Sequence, residues 1–453
     1  MTETHENPKT SPLLRATVAA ACVAISIFSF AFYENPLQAR ATLVAGICLV
    51  LWLSEIVPAF VPTLILWTLT VVLLGSIDRK FDLQEVLTWA ANPVLVLFFG
   101  GFVFGVAASR FGIDTLIARL AVRFSRGSRL LLLVLTVAAT AFMSMWMSNI
   151  AAAAMMIAAL HPLTARLEAN DSFRKALLLA VGVGANFGGI ATPIGTGPNA
   201  IAISSISKTH AVSFAEWMSF ALPLTVGLLI AGTILLVLLY RVRGTFEAEA
   251  TEISPLSTRG KFVVMIFALT IAAWLTESLH GVSSSVIAMI SSAVFFGSGL
   301  LERKDLNAVD WGTIALIAGG ISLGNLLEQA DLINFWANKI SWAAMPLTMQ
   351  IFLVCFASAM LSALMSNTAT VTMLVPFALS FIPDPAVAVL VAVAASFGVP
   401  FVISTPINAM IHGEGGVTAK DFFALGFPLM ILGCLVLALT GLYFLSFWFV
   451  NNG

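Results

Sequence analysis

Charge is scarce in this sequence. Of 453 residues only 10% are Asp, Glu, Lys or Arg, 59% are hydrophobic, and the mean hydropathy is +1.00. Soluble domains carry about 25% charged residues, so a soluble fold is excluded and an all-α polytopic membrane protein is expected. The two signs balance to −1; this says nothing in favour of nucleic acid, and no such partner is expected. Cysteine is also sparse. Cys22, Cys48, Cys355 and Cys434 sit inside apolar segments at unrelated spacings, as packing residues do. The apolar segments hold no paired carboxylates, Ser-His pair or metal cluster, which argues against an intramembrane enzyme. The opening Met1–Ser11 lacks the three regions of a signal peptide, so a first span at about Leu13–Phe32 is expected to be retained.

What is abundant is long apolar run, and two of the runs are too long. Leu130–Leu160 and Met349–Phe381 would each make a straight helix of about 46–50 Å, against a hydrocarbon core about 30 Å thick. Each run contains Met-Ser-Asn, at Met147-Ser148-Asn149 and Met365-Ser366-Asn367. That pair predicts a break in each run, forming two re-entrant hairpins whose polar tips meet at the bilayer midplane. Non-helical backbone at that depth survives only where protein or a water-filled cavity satisfies it.

The remaining landmarks come in matched order. Gly100, Gly101 and Gly105 share the GG-x₃-G spacing of Gly319, Gly320 and Gly324. A break at Gly188–Asn199 in the segment Ala176–Ile206 is echoed by Ser404-Thr405-Pro406-Ile407-Asn408 within Ala386–Met410. This is an internal duplication. The expected division is a tail and first span over 1–37 and a first repeat over 38–244 with its hairpin at 130–165. A cytoplasmic linker over 245–260 and a second repeat over 261–453, with its hairpin at 347–382, complete it. Asp114–Arg129, with Arg119, Arg123 and Arg126, reads as a helix lying in the membrane interface. With the N-terminus cytoplasmic and the halves inverted, seventeen of the 22 Lys and Arg fall on the cytoplasmic side. That agrees with the positive-inside rule and predicts a multi-pass protein of the cytoplasmic membrane.

Ser and Asn in apolar helices often do no more than join helices by hydrogen bonds. Their recurrence at matching places, each followed by a Gly/Pro/Asn-rich break, argues instead for a binding site. No Asp, Glu, Lys or Arg lies in Leu130–Leu160, Ala176–Ile206 or Met349–Phe381. The site is therefore made of hydroxyls, carboxamides, backbone groups and helix ends. Helix N-termini attract anions, and unwound carbonyls and hydroxyls suit sodium. A proton carrier would usually show an intramembrane carboxylate or His relay, whereas His161 and His412 lie at segment edges.

Two Ser-Asn-Thr-type tips paired with Gly-Thr-x-Pro-Asn-type breaks resemble the divalent anion/sodium symporter family, the sodium-coupled dicarboxylate, citrate and sulfate carriers. The likeness runs from about Ala41 to Phe449. It implies two five-span halves plus an N-terminal span, a scaffold that forms a homodimer, and a transport domain moving like an elevator. It implies that Ser148, Asn149, Thr196, Ser366, Asn367, Thr368 and Thr405 contact a small anionic substrate. One sodium would use Ser144, Ser148, Asn149 and Gly195; the other Ser362, Met365 (through its carbonyl), Asn367 and Ser404. One position departs from the family: Ile150 stands where a threonine is expected. The expected function is sodium-coupled import of a divalent anion, a C4-dicarboxylate such as succinate or malate first among them. The alternative is a proton-coupled or exchange-type carrier of sulfate, citrate or another oxyanion.

Overall fold

The computed structural model describes residues 12–54, 56–58, 60–207, 210–246, 255–339 and 345–450. Glu55, Lys208 and the middle of the linker lie outside them, as does the N-terminal tail. Among the described residues the protein is helical, with no strand beyond one isolated bridge between Ser128 and Thr245.

The first half comprises α1 (Pro12–Phe32), α2 (Pro36–Ser54), α3 (Val61–Leu74), the short α4 (Leu83–Thr88), α5 (Pro93–Arg110) and α6 (Ile113–Phe124). The hairpin α7 (Arg129–Ser144) and α8 (Asn149–Thr164) follows, then the broken pair α9 (Ser172–Gly188) and α10 (Gly197–Ile206), and α11 (Phe214–Tyr240). The second half repeats the order with α12 (Thr258–Leu275), the one-turn α13 (Glu277–His280), α14 (Ser284–Gly297), α15 (Trp311–Gln329) and α16 (Leu332–Lys339). Its hairpin is α17 (Leu347–Ser362) and α18 (Asn367–Phe381), and its broken pair is α19 (Ala386–Ala395) and α20 (Pro406–Gly413). Helix α21 (Ala419–Val436) runs through a π-helical stretch at Leu437–Gly441 into α22 (Leu442–Val450).

Both long runs break at the Ser-Asn pair, and both broken segments unwind where glycine and proline accumulate. The amphipathic α6 starts after Gly112, whose φ is +68. Its counterpart α16 is a difference from the sequence reading, which gave the second half no such helix. Seven described helices are long and apolar enough to cross a membrane, and seven more are apolar but shorter, at 10–17 residues.

The halves interlock. Helix α5 of the first packs on α14 of the second, with Ser285 Oγ donating to Pro93 O at 2.8 Å. Helix α15 of the second packs on α3 of the first, with Thr63 Oγ1 donating to Ala315 O and Trp67 Nε1 to Ser322 Oγ, both at 2.9 Å. The central helices α9 and α19 are almost wholly enclosed by protein. Their neighbours are more open: only 22% of the apolar window of α11 is buried, against 94% for α9.

Candidate functional site

Each hairpin tip is made by a serine that caps the returning helix. Ser148 has φ −60 and ψ 139, and its Oγ accepts from Ala151 N at 3.2 Å. Ser366 has φ −63 and ψ 136, and its Oγ accepts from Ala369 N at 3.2 Å. A side-chain cap satisfies one orphan N–H of a helix start. It leaves the serine proton available to a ligand, with the other free N–H groups aimed the same way.

Beneath each tip lies the same oxygen cluster. Ser144 Oγ stands 2.7 Å from both Asn149 Oδ1 and Ala185 O. Ser362 Oγ stands 2.6 Å from both Asn367 Oδ1 and Ala395 O. A hydroxyl has one proton, so in each cluster one proton serves two acceptors. Three oxygens with one proton among them fit a hard cation.

The first break lies between the two tips. A Cβ added to Gly189 would sit 2.6 Å from Asn149 Oδ1, so the backbone here must run without side chains. Gly195 closes onto the Gly189 carbonyl with no room for a Cβ. On the other side, a Cβ on Gly197 would fall 2.5 Å from Thr368 Oγ1 of the second tip. Thr196, beside it, is the N-cap residue of α10 and makes no side-chain cap bond. The starts of α8, α10 and α18 therefore meet around Gly189–Gly197, and their positive ends favour an anion.

The structure thus brings together Ser144 with Asn149, Gly195 with Gly189 beside Asn149, Ser362 with Asn367, and Gly197, the neighbour of Thr196, with Thr368. It does not bond Ser404 or Thr405 to a tip among the described residues. Ser404 Oγ accepts from Phe401 N at 3.0 Å, and Thr405 Oγ1 accepts from Asn408 N at 3.1 Å. Met365 is half-buried in the second tip, with its N–H on Leu361 O at 3.0 Å. Ile150, at the position of Thr368, is 46% exposed.

Four residues to which the sequence reading gave no role support the site. Asn199 Nδ2 donates to Thr192 O at 2.8 Å and Gly189 O at 3.1 Å, and Asn408 Nδ2 donates to Phe401 O at 2.8 Å and Val399 O at 3.0 Å. These carboxamides satisfy the unwound carbonyls of both breaks, a role their position in the doubled motif could have suggested. Thr192 Oγ1 donates to Met145 O at 2.6 Å and holds break to tip. Arg174 is buried. Its Nη atoms donate to Gly415 O and Glu414 O, both at 2.6 Å, and its Nε to Thr164 O at 3.2 Å. It caps α8 and the loop after α20 with one charge.

Two interlocked halves with the same order of hairpin and broken helix make the fold of a secondary membrane transporter. The chain belongs to the citrate transporter (CitMHS) family, whose profile matches residues 49–284 and again 271–452. The resemblance to divalent anion/sodium symporters is borne out. The chain is 28% identical to an uncharacterized transporter of Haemophilus influenzae over 87% of its own length and 89% of the relative's. It is 26% identical to the sodium-dependent dicarboxylate transporter SdcS of Staphylococcus saprophyticus, over 87% and 83%. It is 29% identical to the inorganic phosphate transporter PHO87 of Saccharomyces cerevisiae, where 66% of this chain spans 34% of the relative. The YdaH transporter of Alcanivorax borkumensis shares the fold at TM-score 0.57 and 15% identity, covering 87% of this chain and 99% of that one.

Proposed function

We propose that the protein imports a small divalent anion, a C4-dicarboxylate such as succinate or malate, together with sodium ions. The observation that carries this reading is the twinned oxygen cluster under the tips, Ser144–Asn149–Ala185 and Ser362–Asn367–Ala395. A dianion near these tips meets no fixed positive side chain, and unpaired charge in low dielectric is very costly. Each helix end supplies only about half an elementary charge. Sodium in the two clusters supplies the remainder and binds first, because it orders the tips. Substrate contacts come from Ser148, Asn149, Thr196, Ser366, Asn367, Thr368 and Thr405. The same reading takes the carrier as a homodimer whose transport domain moves against a scaffold, with the N-terminus cytoplasmic.

The test is uptake into proteoliposomes under a sodium gradient, across succinate, citrate, sulfate and phosphate. Uptake driven by sodium and strongest for a dicarboxylate supports the proposal; uptake unchanged in choline medium defeats it. Asn367→Asp keeps an oxygen for sodium but sets a negative charge against the anion, so transport should collapse while some sodium binding persists. A second reading draws on Ile150. Without a hydroxyl there, one side of the pocket loses a charge-assisted bond of about 1.5–3 kcal/mol, which favours a single-headed oxyanion. Ile150→Thr should strengthen dicarboxylate binding; no gain, with phosphate or sulfate preferred in the screen, would select the second reading.

A further inference from the structure

Away from the candidate site, the chain turns two corners on arginine. Among the described residues three non-glycine residues have a positive φ, and two of them are Arg126, at +47 just past α6, and Arg241, at +49 just past α11. An L-residue adopts that left-handed conformation at a cost, and glycine fits it best. The two corners are joined to each other. Phe246 N donates to Gly127 O at 2.8 Å, Arg129 N donates to Gly244 O at 3.2 Å, and Ser128 bridges Thr245. Arg129 is consumed in this junction, with its Nε on Thr245 O at 3.2 Å and its guanidinium over the Phe173 ring at 4.9 Å. The other four arginines of the corners, Arg123, Arg126, Arg241 and Arg243, are exposed and make no side-chain hydrogen bond or ion pair among the described residues.

The junction carries one sign of charge. Residues 115–167 and 217–246, which contain both corners, hold no Asp, Glu or Lys. Of the carboxylates on adjoining elements, Asp171 caps α9 through Phe173 N and Arg174 N, at 2.8 and 3.1 Å. Asp421 accepts from Tyr240 Oη at 2.7 Å and lies 3.6 Å from Lys175 Nζ. Glu168, in the loop before α9, is exposed. Directly beside the arginines the surface turns apolar, with Phe124, Leu130, Leu131, Leu238 and Leu239 all exposed. Packing of the duplicated fold does not require this charge: the second-half stretch that matches 123–129, residues 341–347, has no Lys or Arg.

We infer that the joined corners bind the headgroup of an anionic phospholipid where α11 ends and α7 begins. Arginine forks take phosphate oxygens two at a time, and basic clusters at helix ends hold anionic headgroups. The exposed leucines and Phe124 offer the acyl chains an apolar wall next to the charge. A soluble anion would use the arginines and leave those apolar side chains uncovered, whereas a lipid uses both. Left-handed strain at a non-glycine residue is kept where function uses it, and here it is kept at both corners of one junction. A lipid held there ties the entry of the first hairpin, at Arg129, to the end of α11. The inference is independent of which anion the carrier moves.

Native mass spectrometry of the purified full chain, titrated with phosphatidylglycerol against phosphatidylcholine, reads the lipid bound per protomer. The wild type is compared with the patch variant Arg123→Gln/Arg126→Gln/Arg241→Gln/Arg243→Gln and with Arg→Lys at the same four positions. The control Arg15→Gln/Arg79→Gln/Arg259→Gln/Lys261→Gln removes four exposed cations elsewhere. Thermal unfolding in phosphatidylcholine checks that each variant is folded. The wild type and the control should retain phosphatidylglycerol, and the patch variant should bind it about tenfold more weakly or worse. The lysine variant should fall between, since it keeps the charge and loses the forks. Added phosphatidylglycerol should raise the unfolding midpoint of the wild type and not of the patch variant. Arg126→Gly/Arg241→Gly relieves the backbone, so it should be at least as stable as the wild type in phosphatidylcholine yet respond less to phosphatidylglycerol. Undiminished lipid binding in the patch or glycine variant, or an equal loss in the control, overturns the inference. A patch variant whose midpoint falls equally with and without phosphatidylglycerol shows that the arginines serve the chain itself, and also overturns it. Displacement of the lipid by excess inorganic phosphate shows a soluble-anion site and overturns the lipid assignment.

Discussion

Asn199 and Asn408 each hold two carbonyls of a break that lies at membrane depth, where no lipid group can replace them. Replacing either by Ala removes these bonds, leaving Thr192 O with only Gly195 N and Phe401 O with only Ser404 N, at a cost of about 1–3 kcal/mol. Thermal unfolding of the detergent-solubilised protein should show a fall of several degrees for Asn199→Ala and for Asn408→Ala. A midpoint unchanged in both would show that the breaks are held by something else. The contrast with Arg174 marks what a sequence can reveal about single residues. The two asparagines stood out because each recurs at the same place after a Gly/Pro-rich stretch. Arg174 sits in a charged segment of ordinary appearance, and only tertiary structure supplies the carbonyls of Glu414 and Gly415 that bury it. Likewise, the partners that complete the oxygen clusters, Ala185 O and Ala395 O, are backbone atoms of plain alanines and leave no trace in composition.

At the scale of elements, the hairpins and breaks were legible because their chemistry is local: a capping serine, a proline at a helix start, glycines that end one. The central helix α9 was legible only as a weakly hydrophobic segment. Its hydropathy of 1.2 is the lowest of the candidate spans because it is enclosed by protein rather than lipid. The short α16 was not legible, since its eight residues carry no run of arginines like that of α6. Close approach of the hairpins to the central helices depends on Gly188 and Gly398. A Cβ would fall 2.5 Å from Ala141 O at the first and 2.5 Å from Ala359 O at the second. These are backbone atoms and cannot swing aside. Gly188→Ala and Gly398→Ala should each cost about 1–3 kcal/mol by overpacking, whereas Gly324→Ala, facing open space, should stay within about 0.5 kcal/mol of wild type. Unfolding of the three variants side by side checks the ranking; equal effects would contradict the packing described.

The whole molecule is built from a repeat, yet its halves are not in equivalent positions. In the first half Met147 of the tip packs on Gly105, and Ile194 of the break packs on Gly101. The matching Met365 and Ile403 do not do the same. Gly324 faces open space, Gly320 is covered by Thr372 and Ile201, and Ile403 is 73% exposed. Two copies of one design, one closed on its glycine helix and one open, are the expected halves of an alternating-access cycle. Exchange of the two arrangements would press Met365 onto Gly324 and open Gly105. Cysteine pairs test this in a background without Cys22, Cys48, Cys355 and Cys434. Gly105→Cys with Met147→Cys should cross-link in the arrangement described, where the Cβ positions are 3.1 Å apart, near the usual disulfide value of about 3.8 Å. Gly324→Cys with Met365→Cys should cross-link only when membranes let the carrier visit the opposite state, and each link should arrest uptake. Reduction should restore it. If the second pair never forms in membranes that support uptake, the halves do not exchange, and the motion must run along another path.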